Sequence, residues 1–428
     1  LEKLVIEGGI PLSGAVRIQG AKNAALPILA ASIMASGTHT LRNVPKLLDI
    51  EVMLGILRSL GCGAEHKEDT VVLDTTGLNS THVPEELMKQ MRSSIFLMGP
   101  LLSRFGTVQV YQPGGCAIGE RKIDLHLRGL QALGVTIEET GSTIICTAED
   151  LKGADITLDF PSVGATENIM MAAVLADGIT TISNAAREPE IQDLQNFLNA
   201  MGADIIGAGT DTITIRGVRS LHACTYRIIP DRIVAGTFMV AAAATKGSVA
   251  LEGVCPQHLN AAIHVLRRAG VQITVHDDII NVHAPIRPRA VERIVTAPHP
   301  SFPTDLQSQV MVLLSLADGI SIMKETIFES RFKHVDELTR MGADIRVDFN
   351  SAFIRGVPRL YGATVEATDL RAGAALVIAG LAAHGTTVVE QIHHVDRGYD
   401  RIEEMLTRLG ARIRRQAPVP DQAPVTGE

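Results

Sequence analysis

Two series of glycines run in step through the 428 residues of this chain. Gly37, Gly106, Gly178, Gly247, Gly319 and Gly385 follow one another at 69, 72, 69, 72 and 66 residues. Gly61, Gly134, Gly202, Gly270, Gly342 and Gly410 do so at 73, 68, 68, 72 and 68. Around each pair the same order returns: an apolar helical run, glycine, a short β-branched strand, a loop, an amphipathic helix and a second glycine. Such self-similarity makes the chain a sixfold array of one α/β unit. Whatever departs from the repeat is where function is to be sought.

The two helices of each unit differ in kind. The first, at 24–35, 168–176, 233–245, 309–317 and 371–383, are apolar nearly all round, as a helix enclosed on every side must be. The second, such as 191–201 and 399–409, have one charged and one apolar face. Strands such as Thr180-Thr181-Ile182-Ser183 begin directly after the glycine, which suits a left-handed helix cap. Helices inside and sheets outside invert the usual α/β arrangement. Units this long are unlike those of an open solenoid. The expected fold is therefore α/β and two-lobed, an inside-out barrel of six βαβαββ-type units, three per lobe, with a break near 227–231. The tail 417–428, rich in proline and without apolar periodicity, is expected to be disordered.

Bulk properties exclude several classes. A net charge of −8 with no long basic run argues against nucleic acid. No apolar stretch reaches the roughly 18 residues a bilayer span needs, and Leu1-Glu2-Lys3 opens no leader segment, so no membrane partner is expected. Five cysteines, odd in number and without a CxxC pair, suggest free thiols in a reducing compartment, which makes the cytoplasm the expected location. Four of them, Cys62, Cys146, Cys224 and Cys255, read as inert thiols on strand- or helix-like segments. His126, His393 and His394 have no metal-ligand spacing, and no metal site is expected.

The repeat is most disturbed at 111–121, Tyr-Gln-Pro-Gly-Gly-Cys-Ala-Ile-Gly-Glu-Arg, a turn-rich segment read as an exposed, mobile loop. Cys116 there, five residues before Arg121, meets the conditions for a reactive thiol, although a plain surface cysteine fits the spacing equally well. Lys22-Asn23, Arg92, Arg371 and Arg397 sit at element boundaries, where helix N-termini already favour anions. Together they suggest a pocket for a multiply anionic ligand, but spacing cannot show that they converge. Asp305 and Asp369 each precede an apolar helix and could be N-caps or functional acids.

These residues lie in motifs that resemble those of the UDP-N-acetylglucosamine enolpyruvyl transferases, over essentially residues 1–416. They are Gly20-Ala21-Lys22-Asn23-Ala24, Arg92-Ser93-Ser94, Gly114-Gly115-Cys116-Ala117-Ile118-Gly119 and Asp124-Leu125-His126. Further on come Pro161-Ser162-Val163-Gly164-Ala165-Thr166-Glu167-Asn168, Pro303-Thr304-Asp305-Leu306-Gln307, Asp369-Leu370-Arg371 and Asp396-Arg397-Gly398-Tyr399. The resemblance implies lobes of 22–229, carrying the Cys116 loop as a lid, and of 1–21 with 230–416. It implies transfer of the enolpyruvyl group of phosphoenolpyruvate to the 3′-hydroxyl of UDP-N-acetylglucosamine, the first committed step of peptidoglycan synthesis, without metal or organic cofactor.

By motif, Cys116 is then the proton donor and the thiol that the epoxide antibiotic fosfomycin alkylates. Asp305 accepts the sugar hydroxyl proton, and Asp369 takes part in proton transfer. Lys22, Arg121 and Arg397 hold the donor's phosphate, with Arg371 and Arg397 at its carboxylate and Asn23 beside them. Asn23, Arg92, Arg121, Lys122, Ile123, Asp124, Leu125, Ser162, Val163, Gly164, Asp305 and Ile327 match positions used for the nucleotide sugar. Two residues depart from the pattern: Lys122 stands where proline is usual, and Gly373 where serine is common. Transfer to shikimate-3-phosphate is the nearest alternative, but that family lacks the Gly-Gly-Cys loop. A non-catalytic UDP-sugar-binding paralogue has no physical need for Lys22, Cys116, Asp305, Arg371 and Arg397 together.

Overall fold

The computed structural model describes residues 2–112, 118–119 and 122–417. Cys116, Arg121 and the tail beyond 417 lie outside the described residues.

Buried apolar side chains separate into two clusters, and these define two lobes. One draws on residues 21–228. The other draws on 4–18 together with 233–413. Among the described residues each lobe carries three small sheets around three inner helices, in agreement with the sixfold reading. In the first lobe the strand after each leading glycine is Thr38–Arg42, Thr107–Tyr111 or Ile179–Ser183, and in the second Ser248–Glu252, Ile320–Lys324 or Thr386–Glu390. Four of these strands pair antiparallel with the hairpin that follows, Thr386–Glu390 pairs antiparallel with Lys3–Glu7 instead, and all five pair parallel with a strand on the other side. At Thr107–Tyr111 an isolated bridge, His82 to Gln109, takes the parallel place among the described residues.

The last unit is completed from the far end of the chain. Lys3–Glu7 lies between Thr386–Glu390 and Arg412–Gln416, with Leu4 opposite Val389 on one side and Arg415 on the other. Leu4 and Ile6 point inward and are fully buried, as the two-residue period of a strand requires. Each contributes about 1.5–3 kcal/mol by leaving water.

The inner helices are α1 (Lys22–Ser32), α2 (Met98–Phe105), α3 (Val163–Ala173), α4 (Arg232–Ala244), α5 (Gln307–Ser315) and α6 (Leu370–Ala382). Every residue of α5 is buried. Five of these helices start one to five residues before the apolar runs that announced them. Three of those starts are set by side-chain caps: Ser162 accepts from Ala165 N, Asp231 from Ile233 N and Val234 N, and Asp369 from Arg371 N and Ala372 N. A 3₁₀ turn, Arg92–Leu97, leads into α2. Pro100 has no N–H to give the carbonyl four residues back, so a continuous α-helix through this stretch lacks one of its bonds.

Eleven of the twelve repeat glycines have positive φ. Gly247 is the exception and corrects the cap reading there: Lys246 takes the left-handed conformation at φ 57°. Gly247 is needed for space, because a Cβ would stand 2.4 Å from the Leu12 carbonyl oxygen.

The two lobes join through paired segments. Ala21 N donates to Ile229 O at 2.8 Å and Asp231 N to Gln19 O at 2.9 Å, so the crossings run side by side. Lys22 and Arg232 therefore open α1 and α4 directly after the crossings. Among the described residues no helix is long and apolar enough to cross a membrane.

Candidate active site

Of the cations singled out in the sequence, Lys22, Arg371 and Arg397 come together where the lobes face each other. Lys22, in the first turn of α1, is 8% exposed, and its Nζ donates to Asp49 Oδ2 at 3.0 Å. Its backbone N–H donates to Asp231 Oδ2, from the other lobe, at 3.2 Å. Arg397, ending the 3₁₀ turn Ile392–Arg397, reaches Asp49 Oδ1 through Nε at 2.8 Å. Burial pushes the Lys22 ammonium down, and Arg371 and Arg397 add to the effect while Asp49 opposes it.

Asp305 lies in the turn Thr304–Leu306 that leads into α5. It is not a helix cap. Its Oδ1 accepts from Arg331 Nη2 at 2.8 Å, and its Oδ2 from Arg371 Nη2 at 3.0 Å. Burial alone would raise its pKa, but Arg371 and then Arg331 outweigh that and hold the carboxyl far below the usual carboxylate range. Arg371 is further fixed by Tyr399, whose hydroxyl accepts from Nη1 at 3.4 Å and whose ring centroid lies 5.8 Å from Cζ. Asp369, by contrast, is an N-cap, spending one oxygen on the backbone of Arg371 and Ala372.

A second group gathers around α3. Gly164 sits so close to His126 that a Cβ would come within 2.9 Å of its ring. Asn168 bonds to His126 Nδ1 at 2.8 Å, and burial followed by Arg92 brings the imidazole down to about 4. Arg92, Ser162, Val163 and Gly164 are half-buried here, while Lys122 and Asp124 are exposed at the start of the helix Asp124–Ala132 and Ile123 and Leu125 turn inward. On the facing lobe Ile327 N donates to the buried Glu325, which also accepts from Thr304 Oγ1 at 2.9 Å. Ile118 and Gly119, the described residues nearest to Cys116, reach that same lobe: Ile118 O accepts from Ser330 N at 3.2 Å. Asn23 is half-buried in the first turn of α1 beside Lys22.

Sequence reasoning missed Asp49, Asp231 and Arg331. Each resembles an ordinary residue of its element: Asp49 a first-turn acid, Asp231 a helix cap and Arg331 a turn cation. The reading of four inert cysteines is corrected in placement only. Cys146 alone is on a strand, while Cys62, Cys224 and Cys255 are in connections. Burial pushes the thiols of Cys62 and Cys146 up to about 11 and about 12, and raises the other two, so all four are held as thiols. A cavity of about 100 Å³, lined in part by Arg232, His258, His299 and Pro303, contains none of the expected site residues.

The sequence pattern of the EPSP synthase (3-phosphoshikimate 1-carboxyvinyltransferase) family matches residues 6–406. UDP-N-acetylglucosamine 1-carboxyvinyltransferase 2 of Caldanaerobacter subterraneus is 53% identical over 411 residues, covering 96% of this chain and 99% of the relative. The protein of the same name from Carboxydothermus hydrogenoformans is 54% identical over 419 residues, covering 97% and 99%. Among solved structures, the enolpyruvyl transferase NikO from Streptomyces tendae superposes with a TM-score of 0.88 at 29% identity, covering 97% of this chain and 99% of that one.

Proposed function

The chain belongs to the enolpyruvyl transferase family, among the UDP-N-acetylglucosamine 1-carboxyvinyltransferases, and on that premise we propose the reaction and the residue roles that follow. The enolpyruvyl group of phosphoenolpyruvate passes to the 3′-hydroxyl of UDP-N-acetylglucosamine and phosphate leaves, the first committed step of peptidoglycan synthesis. The observation that carries the roles is the meeting of Lys22, Arg371, Arg397 and Asp305 between two lobes. We take those lobes as 22–229 and 1–21 with 230–416, hinged at the paired crossings. A nucleotide-sugar acceptor and unpaired thiols fit the cytoplasm.

Addition comes first. The terminal vinyl carbon takes a proton, for which the family pattern assigns Cys116, and the neighbouring carbon becomes electrophilic. The sugar oxygen bonds to that carbon and its proton passes to Asp305. Elimination follows: the carbon–oxygen bond to phosphate breaks with its electron pair on phosphate, and the terminal carbon loses a proton to restore the double bond. Asp369, beside the Arg371 backbone, is assigned to proton transfer by motif. Lys22, Arg121 and Arg397 neutralise the leaving phosphate, and Arg371 and Arg397 hold the carboxylate. Asn23, Arg92, 121–125, 162–164 and Ile327 position the nucleotide sugar.

The state of Asp305 supports one order of events. A carboxylate so firmly held by two guanidinium groups is a weak base and does not strip a free alcohol of its proton. It accepts one as the new carbon–oxygen bond makes the sugar oxygen acidic, so protonation of the vinyl carbon leads. When the donor's carboxylate takes N–H groups of Arg371, the hold on Asp305 weakens and its basicity rises where it is needed.

The test is phosphate release. Phosphoenolpyruvate with UDP-N-acetylglucosamine should release phosphate, and phosphoenolpyruvate with shikimate-3-phosphate should not; the reverse outcome, or no release with either, refutes the reading.

A further inference from the structure

Asp49 belongs to none of the motifs above, yet it is the group on which the cations of both lobes close. It stands in the first turn of the helix Leu48–Ser59 and is 3% exposed. Its Oδ2 accepts from Lys22 Nζ at 3.0 Å and from Arg397 Nη2 at 3.4 Å, while Oδ1 accepts from Arg397 Nε at 2.8 Å. Lys22 comes from the first lobe and Arg397 from the second, so one carboxylate spans the interface. Three residues earlier, Lys46 N donates to Asp400 Oδ2 at 3.3 Å, a second grip between the same two stretches. Asp49 uses one of the ammonium's three N–H groups and two of the guanidinium's five, which leaves the rest for a ligand.

We propose that Asp49 is a positioning residue for the donor's phosphate, tying the Lys22 ammonium to the Arg397 guanidinium so that the two reach a phosphate's spacing only when the lobes meet. The inference rests on the proposed function, which makes Lys22 and Arg397 the phosphate ligands. The charges around Lys22 give it a second consequence. Facing Lys22 are Arg371 from α6, Arg397, Asp231 from the crossing and Asp305. Burial, Arg371 and Arg397 all favour loss of the ammonium proton, and Asp49 is the neighbour that opposes it through both charge and hydrogen bond. Asp49 thus both aims Lys22 and opposes the loss of its proton.

The experiment is Asp49→Asn in the full chain, with Asp49→Glu as the conservative partner. In Asp49→Asn, kcat/KM for phosphoenolpyruvate falls about 100-fold, the scale of a misplaced binding group. KM for UDP-N-acetylglucosamine is unchanged. The alkaline limb of the pH profile moves to lower pH, because Lys22 without its carboxylate partner loses its proton sooner. Asp49→Glu restores part of the rate and of the limb. Wild-type kcat/KM for the donor in Asp49→Asn, or an equal loss for both substrates with an unmoved limb, overturns the proposal. Calorimetry with inorganic phosphate reads the same pair without turnover, and Asp49→Asn should bind it more weakly than wild type; equal binding overturns the proposal. A wild type that binds phosphate in this Asp49-dependent way but releases none from the two substrates would refute the reaction and leave the role of Asp49 standing.

Discussion

Removing the Asp305 side chain leaves two guanidinium groups facing each other in a nearly closed space. Arg331 and Arg371 are 5% and 3% exposed, and each loses a charged acceptor, at 2.8 and 3.0 Å respectively. Breaking a buried ion pair from one side costs about 3–5 kcal/mol. Asp305 keeps a quarter of its side chain open, and Arg331 Nη1 retains Thr304 while Arg371 Nη1 retains Tyr399. The low end therefore applies: Asp305→Ala should cost about 3 kcal/mol in urea unfolding at pH 7, and turnover should be lost. The sign with pH is fixed by the depressed carboxyl. Its contribution is fully present above the unfolded carboxylate value of about 3.9 and declines by about 1.4 kcal/mol per pH unit below it. The gap between wild type and Asp305→Ala should thus be equal at pH 7 and pH 5 and narrow in stronger acid. A gap under about 1 kcal/mol at pH 7, or one that shrinks between pH 7 and 5, refutes the two-guanidinium account.

Cys116→Ser should abolish covalent trapping by fosfomycin, read by mass, and greatly slow phosphate release; full turnover would remove Cys116 from the acid role. Gly373→Ser adds a Cβ 2.6 Å from Val395 Cγ2 and 3.0 Å from Ala367 Cβ. It should cost about 1–3 kcal/mol by overpacking and raise KM for phosphoenolpyruvate, since Val395 lies two residues from Arg397; wild-type stability and KM would show that α6 shifts freely. Glu167 is fully buried with neither carboxyl oxygen bonded, and burial, then Glu190 and Glu188, hold its pKa well above the usual range. The folded chain keeps a proton there that the unfolded chain releases, so stability falls as pH rises between the two values. Glu167→Gln should gain on wild type by about 1.4 kcal/mol per pH unit across that window, and a difference that stays constant from pH 5 to 7 would count against it.

The repeat was legible because its signals are local. A glycine after an apolar run, a β-branched strand and an amphipathic helix each leave a mark within about a dozen residues. Gly247 shows the limit: the residue type was right for the turn, but the left-handed backbone belongs to Lys246, and the glycine answers to Leu12, far away in the chain. Pairing of Leu4 with Val389 leaves no local trace at all, and only the family resemblance indicated that the first segment returns. The site was read in the same unequal way. Lys22, Arg371 and Arg397 stood out as cations at element boundaries, while Asp49, Asp231 and Arg331 did not, because a first-turn acid, a cap and a turn arginine are common on any helix.

Those inconspicuous residues explain how so many cations can be held close together. Four cations, Lys22, Arg331, Arg371 and Arg397, are set against three carboxylates, Asp49, Asp231 and Asp305, leaving a net charge of 4 − 3 = +1. Four unpaired cations in this space would carry a large burial penalty, which Lys22 would relieve by losing its proton. Pairing opposes that loss, and guanidinium and ammonium groups have more N–H donors than their partners use. On the proposed roles, a donor bearing about −1.5 to −2 on phosphate and −1 on carboxylate would share these cations with carboxylates rather than recruit free ones. Donor affinity is therefore a difference between two sets of ion pairs. Replacing a carboxylate does not simply free a cation for the donor; it removes the group that favours that cation's charged form and holds it in place.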